Sequence, residues 1–183
     1  MKGFVFNVLN KMVEEKLGIE AWDQMVNQLS SDSAGVYTSG GTYPDKEFLD
    51  LVSDLSERLQ TPVAELVRNF GKYALHEMKK QYAIFFEKHS DAKSFLLSID
   101  QVVHVEVKKL YPEAKLPEFL YEDRSPNELV MIYHSERKMC HFAEGLIEVT
   151  GEFFGEEIDQ RQVQCMHEGA ESCRFELKFR GKG

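Results

Sequence analysis

The chain has 183 residues, 43% of them hydrophobic and 29% charged, and its formal net charge is −9 with a sequence pI near 5.2. This length suits a single domain with a real core, and the composition is that of a soluble globular protein. The acidic balance, without a dense basic run, argues against nucleic-acid binding, because proteins that bind nucleic acid carry basic surfaces for the phosphates.

The N-terminal sequence and the cysteines indicate in which cellular compartment the protein is expected. The N-terminal stretch MKGFVFNVLNKMVEEKLG has no long apolar run and no small-residue cleavage site, so no signal peptide is expected. No apolar run approaches the roughly 18 residues of a membrane-spanning helix. The three cysteines, an odd number, indicate free thiols or metal ligands and not a disulfide framework. A cytoplasmic protein with no membrane partner is expected.

The first part of the chain is predicted to be helical, because apolar residues recur at helical spacing. The predicted elements are a helix over Lys2–Leu17, a helix over Ile19–Leu29, a loop over Ser30–Pro44, a helix over Asp45–Leu59 and a helix from Thr61 to about Leu75. Thr61 is expected to cap the last helix, with Pro62 in its first turn and Glu65 near the capping-box position. Gly71 inside that helix indicates a hinge or a close contact.

The second part mixes helices and strands. The predicted helices are Tyr82–Phe86, Asp91–Tyr111 and Cys140–Phe154, and the predicted strands are Lys115–Tyr121, Glu128–Arg137, Ile158–Met166 and Ser172–Phe179, with a turn at Arg124–Asn127. Strands segregated from helices indicate an α+β fold. We expect a single domain with a helical N-terminal lobe, about residues 1–75, and a C-terminal lobe, about residues 76–183. The second lobe would hold a four-stranded antiparallel sheet with an inserted helix.

Three polar side chains alternate near the end of the predicted strand Glu128–Arg137. Tyr133, Ser135 and Arg137 would share one face of a strand, offering two hydroxyls and a guanidinium. Arginine matches a carboxylate with two parallel hydrogen bonds, so the row suits an anionic group. The same pattern is also typical of the solvated face of an antiparallel strand.

His104 lies among valines in the long predicted helix, at the edge of its apolar stripe. Such a histidine is either a packed core residue or a metal ligand. Haem iron is often held by one histidine, and the valines would supply a dry slot for the macrocycle. Haem also carries two propionates, for which Tyr133, Ser135 and Arg137 are suitable donors.

Taken together, these residues resemble the haem-nitric oxide/oxygen-binding (H-NOX) family, in its stand-alone bacterial form. The resemblance covers essentially the whole chain. It rests on the N-terminal MKGFVFN, the helix bearing His104, the Tyr-x-Ser-x-Arg signature at Tyr133, Ser135 and Arg137, and the following AEGLI helix. The resemblance implies that haem b lies between the two lobes.

The resemblance also assigns roles to individual residues. His104 corresponds to the proximal iron ligand, Tyr133, Ser135 and Arg137 to the propionate clamp, and Pro117 to a proline that presses on the haem. The distal pocket corresponds to Val5, Leu9, Ala74, Phe142 and Leu146. Oxygen-binding members place a tyrosine where this chain has Phe142, so weak or no O2 binding is expected, although His76 or Tyr73 is an alternative inward-facing donor.

The implied function is a haem-based sensor of nitric oxide, with CO as another ligand, and not an enzyme. NO would bind five-coordinate ferrous haem and weaken the bond from iron to His104. The haem would then relax from the strain imposed by Pro117, and the lobes would shift about Gly71. The family's usual partners in bacteria are histidine kinases and cyclic-di-GMP enzymes.

A second group of candidate ligands is Cys140, Cys165, Cys173 and His167, which would complete a tetrahedral zinc site. Some members of the family hold zinc here, but their histidine ligand falls on Gln162 in this chain. His167 or His141 is a substitute. The alternatives are three free thiols, or paired oxidation of Cys165 and Cys173.

Two other functions remain open from the sequence. A haem-free small-molecule regulatory domain would share the CxHxG…C segment and need no haem. A zinc enzyme would use the cysteine cluster with water at an open coordination position.

Overall fold

A computed structural model describes residues 1–29 and 33–181. The N-terminal part is helical, with α1 Gly3–Leu17, α2 Ile19–Gln28, α3 Asp45–Leu59 and α4 Val63–Gln81. The connection from α2 to α3 is the predicted Ser30–Pro44 loop, whose residues 30–32 lie outside the described part. The predicted helices of this half are therefore confirmed, with α4 extending six residues beyond the predicted end at Leu75.

The N-terminal helices form because each places an apolar face toward a common core. Phe6, Leu9, Phe48, Leu51 and Leu55 are completely buried there.

The expected cap of α4 was wrong. Pro62 occupies the N-cap position and no side chain caps the helix. The Thr61 hydroxyl instead donates a hydrogen bond back to the carbonyl of Leu59, at 3.2 Å. Thr61 also donates its backbone N–H to Ser56, so it completes the end of α3 and does not start α4.

The C-terminal part begins with α5 Ala83–Glu87 and α6 Ala92–Ser98, which Asp91 caps by accepting the Ser94 backbone N–H at 2.7 Å. A π-helical segment, Ile99–Val103, follows and leads directly into α7 His104–Leu110. The predicted helix Asp91–Tyr111 is therefore continuous but wider in its middle, where one extra residue enters the turn. Single π turns of this kind occur mostly at functional sites.

The four described strands are β1 Glu118–Ser125, β2 Glu128–His134, β3 Glu156–Gln164 and β4 Cys173–Gly181, and α8 Cys140–Phe154 is inserted between β2 and β3. They form one antiparallel sheet in the order β1-β2-β4-β3. The α+β class with an inserted helix is confirmed, and α8 has its predicted bounds. The strand bounds differ from the predicted ones by up to four residues, because alternation marks a strand's faces better than its ends. In the described residues, no helix combines the length and apolarity needed to cross a bilayer.

Helices α4 and α8 cross in direct backbone contact. A Cβ atom on Gly71 would lie 2.3 Å from the Phe142 carbonyl oxygen, and one on Gly145 would lie 2.1 Å from the Arg68 carbonyl oxygen. Only glycine permits this approach on both sides. Of the two interpretations of Gly71, the close contact is therefore confirmed.

Two apolar clusters make up the interior. One combines α1–α4, and the other combines the sheet with α6 and α8. Helix α4 belongs to both, because Ala74 is buried in the first cluster and its neighbour Leu75 in the second. The division into two lobes near residue 75 stays a prediction, and the cavity described next has walls from both clusters.

Candidate functional site: a cavity between the two clusters

A cavity of about 560 Å³ opens between the two clusters. Its size falls within the about 300–1,000 Å³ typical of ligand and cofactor sites. Most of its wall is aliphatic or aromatic, with Phe4, Met78 and Leu96 among the contributors. Eight of the predicted site residues line it: Val5, His104, Pro117, Tyr133, Ser135, Arg137, Phe142 and Leu146.

Two predicted distal residues do not line this cavity. Leu9 and Ala74 are 0% and 1% exposed and belong to the N-terminal cluster. Leu9 lies one turn of α1 beyond Val5, where the helix has already entered the core. On α4 the cavity wall is made by Leu75 and Met78, and not by Ala74.

The two alternative inward-facing donors are also outside the wall. The His76 ring packs edge-on against Phe153, with centroids 5.0 Å apart. The Tyr73 hydroxyl is buried and has no hydrogen-bond partner in the described part of the chain, but Tyr73 does not line the cavity. Tyr82, at the end of α4, does line the cavity and was missed because the sequence placed it in a separate short helix.

His104 follows the π segment, and its backbone N–H donates to the Ile99 carbonyl. Its Nδ1 lies 3.0 Å from an Asp100 carboxylate oxygen. A carboxylate only accepts hydrogen bonds, so Nδ1 carries the hydrogen and Nε2 keeps a free lone pair. Burial lowers the pKa of His104 below 6.5, although the Asp100 hydrogen bond opposes this shift. The imidazole is therefore neutral and oriented, as a metal ligand must be.

The sequence had placed Tyr133, Ser135 and Arg137, the donor row, on one strand, but only Tyr133 lies on it. Strand β2 ends at His134, and Ser135 and Arg137 lie in the turn that follows. The turn still directs both toward the cavity, because the Ser135 oxygen accepts the Arg137 backbone N–H at 3.3 Å. The buried Tyr133 hydroxyl accepts the Met139 backbone N–H at 3.1 Å, which leaves its own hydrogen for a ligand. Burial raises the pKa of Tyr133, so the phenol stays neutral and able to donate.

Arg137 is held by groups far away in sequence. Its Nε donates to Asp45 at 2.9 Å, and its Nη1 donates to the Lys115 carbonyl at 2.6 Å. Burial alone would raise the pKa of Asp45, but the Met1 ammonium and the Arg137 guanidinium bring it below the ordinary value. The guanidinium is thus fixed at the cavity edge with Nη2 available. Sequence analysis missed Asp45, because it precedes Arg137 by 92 residues.

One aromatic ring connects the histidine to the donor row. The Phe119 ring lies 5.9 Å from the His104 ring and 5.5 Å from the Tyr133 ring, measured between centroids. The two predicted parts of the site are therefore one ring apart and face the same space. A flat macrocycle with acidic groups at its edge can reach both.

Comparison with known proteins decides the family. A sequence model of the family described as Haem-NO-binding matches residues 2–162. The chain belongs to this family. Haem-NO-binding domains are haem-based gas sensors, so the predicted family is confirmed.

Solved H-NOX structures share the fold over their whole length. The H-NOX protein from S. oneidensis in its Fe(II)NO state is 30% identical, with a TM-score of 0.94 and coverage of 99% of this chain and 100% of that one. The unliganded Fe(II) H-NOX protein from K. algicida is 33% identical, with a TM-score of 0.89 and coverage of 100% and 98%.

A curated relative places the same domain in a larger protein. Soluble guanylate cyclase 89Db of Drosophila melanogaster is 25% identical over 169 residues, which is 85% of this chain. The chain spans only about a quarter of that relative's length, because the match covers 24% of it.

The residues of the cavity fit the haem that the family binds. His104 offers a neutral nitrogen, the wall is apolar, and Tyr133, Ser135 and Arg137 still have hydrogens to donate to carboxylates. The haem-binding assignment of each residue stays a prediction.

The cysteines form a second cluster at the start of α8. The sulfur atoms of Cys140, Cys165 and Cys173 all lie within 4.8 Å of one another, and all three thiols are free. Burial raises the pKa of Cys140 to about 12, and the nearby Cys173 adds to that shift. Buried thiols of this kind remain protonated unless a cation binds them.

The predicted fourth ligand, His167, belongs to a different group of donors. It lies with His141 and Cys140, and the ligating atoms of that group are also within 4.8 Å of one another. The two imidazoles stack at 5.7 Å, and His167 Nε2 is 2.7 Å from the Lys138 carbonyl. Cys140 is thus shared by two possible ligand sets.

Proposed function

We propose that this chain binds haem b in the 560 Å³ cavity and senses nitric oxide with it. The observation that supports this most is the shared cavity of a neutral, hydrogen-bonded histidine and a fixed arginine, one aromatic ring apart. Neither a structural histidine nor a solvated strand face requires such an arrangement around open space.

Each residue has a separate task in this proposal. His104 Nε2 holds the iron, and Asp100 keeps the imidazole in the tautomer that leaves Nε2 free. Tyr133, Ser135 and Arg137 hold the propionates, and Pro117 presses on the macrocycle. When bound, the haem supplies the ferrous iron to which a diatomic gas binds.

The part of the cavity wall formed by Val5, Phe142 and Leu146 favours binding of NO and CO over O2. Val5, Phe142 and Leu146 supply no hydrogen-bond donor from their side chains. Bound dioxygen carries partial negative charge and gains from a donor, whereas NO needs that help much less. We therefore propose weak or no O2 binding.

Gas binding is proposed to change the relative position of the two apolar clusters. A partner signalling protein would detect this change. The α4–α8 contact at Gly71 and Gly145 supports this, because it joins the clusters through backbone without intervening side chains. Gas binding can drive such a shift only if the two arrangements bind the gas with different affinity. A histidine kinase or a cyclic-di-GMP enzyme is the proposed partner class, and the chain itself is proposed to have no catalytic activity.

The test is reconstitution with haem, followed by absorption spectra of the ferrous protein with and without NO. We expect one haem per chain and a Soret band that NO shifts. His104→Gly should lose the iron–protein bond, and added imidazole should ligate the iron without restoring that bond, whereas His134→Ala on the exposed side of β2 should behave as wild type. A chain without a Soret band after reconstitution would favour a haem-free regulatory domain and remove the proposal.

We also propose zinc at Cys140, Cys165 and Cys173, with His167 as the fourth ligand. The clustered sulfur atoms support three of these ligands. The metal would tie the start of α8 to the loop between β3 and β4, and it would release the protons that burial keeps on Cys140 and Cys173. Metal analysis should find one zinc per chain, fewer in Cys173→Ser, and an unchanged content in His134→Ala. A zinc-free protein with three titratable thiols would remove this proposal.

A further inference from the structure

The turn that follows β2, residues 135–139, carries two members of the donor row and contains one strained residue. Lys138 has a φ of 50°, in the left-handed region that residues other than glycine rarely adopt. Such a conformation persists only where the surrounding contacts hold it. The direction in which Ser135 and Arg137 point therefore depends on the groups that fix this turn.

Three hydrogen bonds within the segment hold its N–H groups. The Lys138 backbone N–H donates to the Ser135 carbonyl at 3.0 Å, and the Met139 backbone N–H donates to the Tyr133 hydroxyl at 3.1 Å. The Ser135 hydroxyl oxygen accepts the Arg137 backbone N–H at 3.3 Å. The donor row is thus part of the hydrogen bonding that closes the turn.

A fourth hydrogen bond holds the turn from a distant segment. His167 Nε2 lies 2.7 Å from the Lys138 carbonyl oxygen, 29 residues away in sequence. A carbonyl only accepts hydrogen bonds, so Nε2 carries the hydrogen and donates it. The strained residue is therefore fixed by a side chain from the connection between β3 and β4.

His167 is itself held in place. It lies in a one-turn 3₁₀ helix, Met166–Glu168, in which Met166 is buried and donates its backbone N–H to Cys173 Sγ at 3.2 Å. The His167 ring stacks on the His141 ring, with centroids 5.7 Å apart and planes within 5° of parallel. A side chain supported by packing and by a fixed backbone holds its hydrogen-bond partner precisely in place.

We propose that His167 is a positioning residue for the donor row: its hydrogen bond to the Lys138 carbonyl holds the turn in the conformation that directs Ser135 and Arg137 into the cavity. The inference rests on the proposed function, because it takes the donor row to hold the haem propionates. It deepens that function by naming a residue outside the cavity wall that acts on the row.

This task differs from the metal-binding task proposed above for the same residue. With the hydrogen on Nε2, the lone pair of Nδ1 stays free, so one imidazole can serve both tasks. Glutamine separates them. Its amide nitrogen is as many bonds beyond Cβ as Nε2 is and donates a hydrogen, but glutamine is a poor zinc ligand.

The main test compares His167→Ala with His167→Gln in the haem-loaded chain, by the rate of haem transfer to apomyoglobin. His167→Ala should lose haem about two- to ten-fold faster, which corresponds to one net hydrogen bond. His167→Gln should lose it at nearly the wild-type rate. His141→Ala is the matched control, because it removes the stacked ring and a possible metal ligand but keeps the bond to Lys138.

Resonance Raman spectroscopy of the same proteins reports the donor row directly. The bending modes of the haem propionates respond to the hydrogen bonds that the propionates receive. They should move to lower frequency in His167→Ala and stay unchanged in His167→Gln and His141→Ala. A general loss of stability would not move these modes.

Amide hydrogen exchange of the haem-free chain gives a readout that needs no cofactor. The Lys138 and Met139 amides, both bonded within the turn, should exchange about two- to ten-fold faster in His167→Ala. They should keep their wild-type protection in His167→Gln. If His167→Ala does not fold, His167→Asn replaces it, because its amide is one bond too short to reach the carbonyl.

Three outcomes would overturn the inference and leave the proposed function intact. The first is wild-type haem loss from His167→Ala, whether or not the Lys138 amide exchanges faster. The second is equally fast loss from His167→Ala and His167→Gln, which would assign the effect to a metal or to packing. The third is the same acceleration in His141→Ala. A wild-type chain that binds no haem would overturn the proposed function itself, and the inference with it.

Discussion

The two sides of the cavity differ in how their side chains are held. On one side, His104 and Arg137 are each fixed by a carboxylate, from Asp100 and Asp45 respectively. Elsewhere the cavity is lined by Phe142 and Leu146 of α8 and by Val5 of α1, and these side chains have no polar group to orient.

We propose that one side of the cavity retains the cofactor and that the other side determines which gas the cofactor binds. Oriented polar groups determine where a metal and two acids can sit, so we propose that the side with His104 and Arg137 fixes the cofactor. An apolar wall gives no preference to a ligand that carries charge, so we propose that Val5, Phe142 and Leu146 select by the absence of a donor among them. Four substitutions test this division of tasks. One lies on each side of the cavity, and two lie at the crossing of α4 and α8.

The largest expected effect is on the fixed side. Arg137→Ala removes charge-assisted hydrogen bonds worth about 1.5–3 kcal/mol, so haem affinity should fall roughly 10- to 100-fold. The rate of haem transfer to apomyoglobin measures this loss. Arg174→Ala is the matched control, because Arg174 pairs with Glu122 on the sheet and does not line the cavity. Equal rates of haem loss from both variants would show that Arg137 does not hold the haem.

The contact between α4 and α8, which joins the two clusters, should be nearly as sensitive. Gly71→Ala places a Cβ 2.3 Å from the Phe142 carbonyl, so α8 must shift away from α4. Overpacking of this kind costs about 1–3 kcal/mol, and denaturant unfolding should show a loss of that size. Gly181→Ala, with open space around its Cβ, should be close to neutral. A Gly71→Ala variant as stable as wild type would show that the crossing is loose.

The apolar side is tested by adding the donor that it lacks. Phe142→Tyr places a phenol in the wall, and a hydrogen bond of about 1.4 kcal/mol to bound O2 corresponds to roughly ten-fold tighter binding. The absorption spectrum of the ferrous variant during an O2 titration measures the change. Phe154→Tyr, on the same helix but outside the cavity wall, should have no effect. If both variants fail to gain O2 affinity, the absence of a donor is not what selects against O2.

The smallest expected effect concerns an ion cluster beside the helix crossing. Glu148 of α8 pairs with Arg68, 3.0 Å away, and with Lys72, both on α4. Burial alone would raise the pKa of Glu148, but these two cations bring it below the ordinary value. Because the pairs are partly exposed, Glu148→Gln should cost only about 0.5–1 kcal/mol in unfolding free energy, less at high salt.

Glu152→Gln is the control for Glu148→Gln, because Glu152 is exposed on the same helix. The loss in Glu148→Gln should also disappear below the folded-state pKa, because a lowered carboxylate pKa stabilises only above it. A loss that persists in acid would mean that packing, and not charge, is affected.

The sequence predicted the elements that local pattern controls. Helix α8 has its predicted bounds, because its apolar residues recur without interruption between Cys140 and Phe154. Tyr133, Ser135 and Arg137 do line the cavity, but the sequence placed all three on a strand, since alternation continues past His134 while the strand ends there. The π segment left no recognisable pattern, because its five residues fit ordinary helical spacing.

The partners of the site residues could not be predicted, because they are set by tertiary contacts. Asp45 reaches Arg137 across 92 residues, and Phe119 comes near His104 only when β1 packs on the helix that bears this histidine. Leu9 and Ala74 were assigned to the cavity by resemblance alone, whereas Leu75 and Tyr82 complete its wall. Periodicity gives the face of a helix but not where along its length the core gives way to a cavity.

We propose that a neutral His104 and the apolar side chains of Val5, Phe142 and Leu146 together make a haem site that binds NO and not O2. The most direct measurement is the absorption spectrum of the reduced, haem-loaded protein, first in air and then under NO without air. The account predicts a five-coordinate ferrous spectrum that air leaves unchanged and NO converts. A stable oxygenated spectrum in air, or a six-coordinate ferrous haem with no added gas, would contradict it.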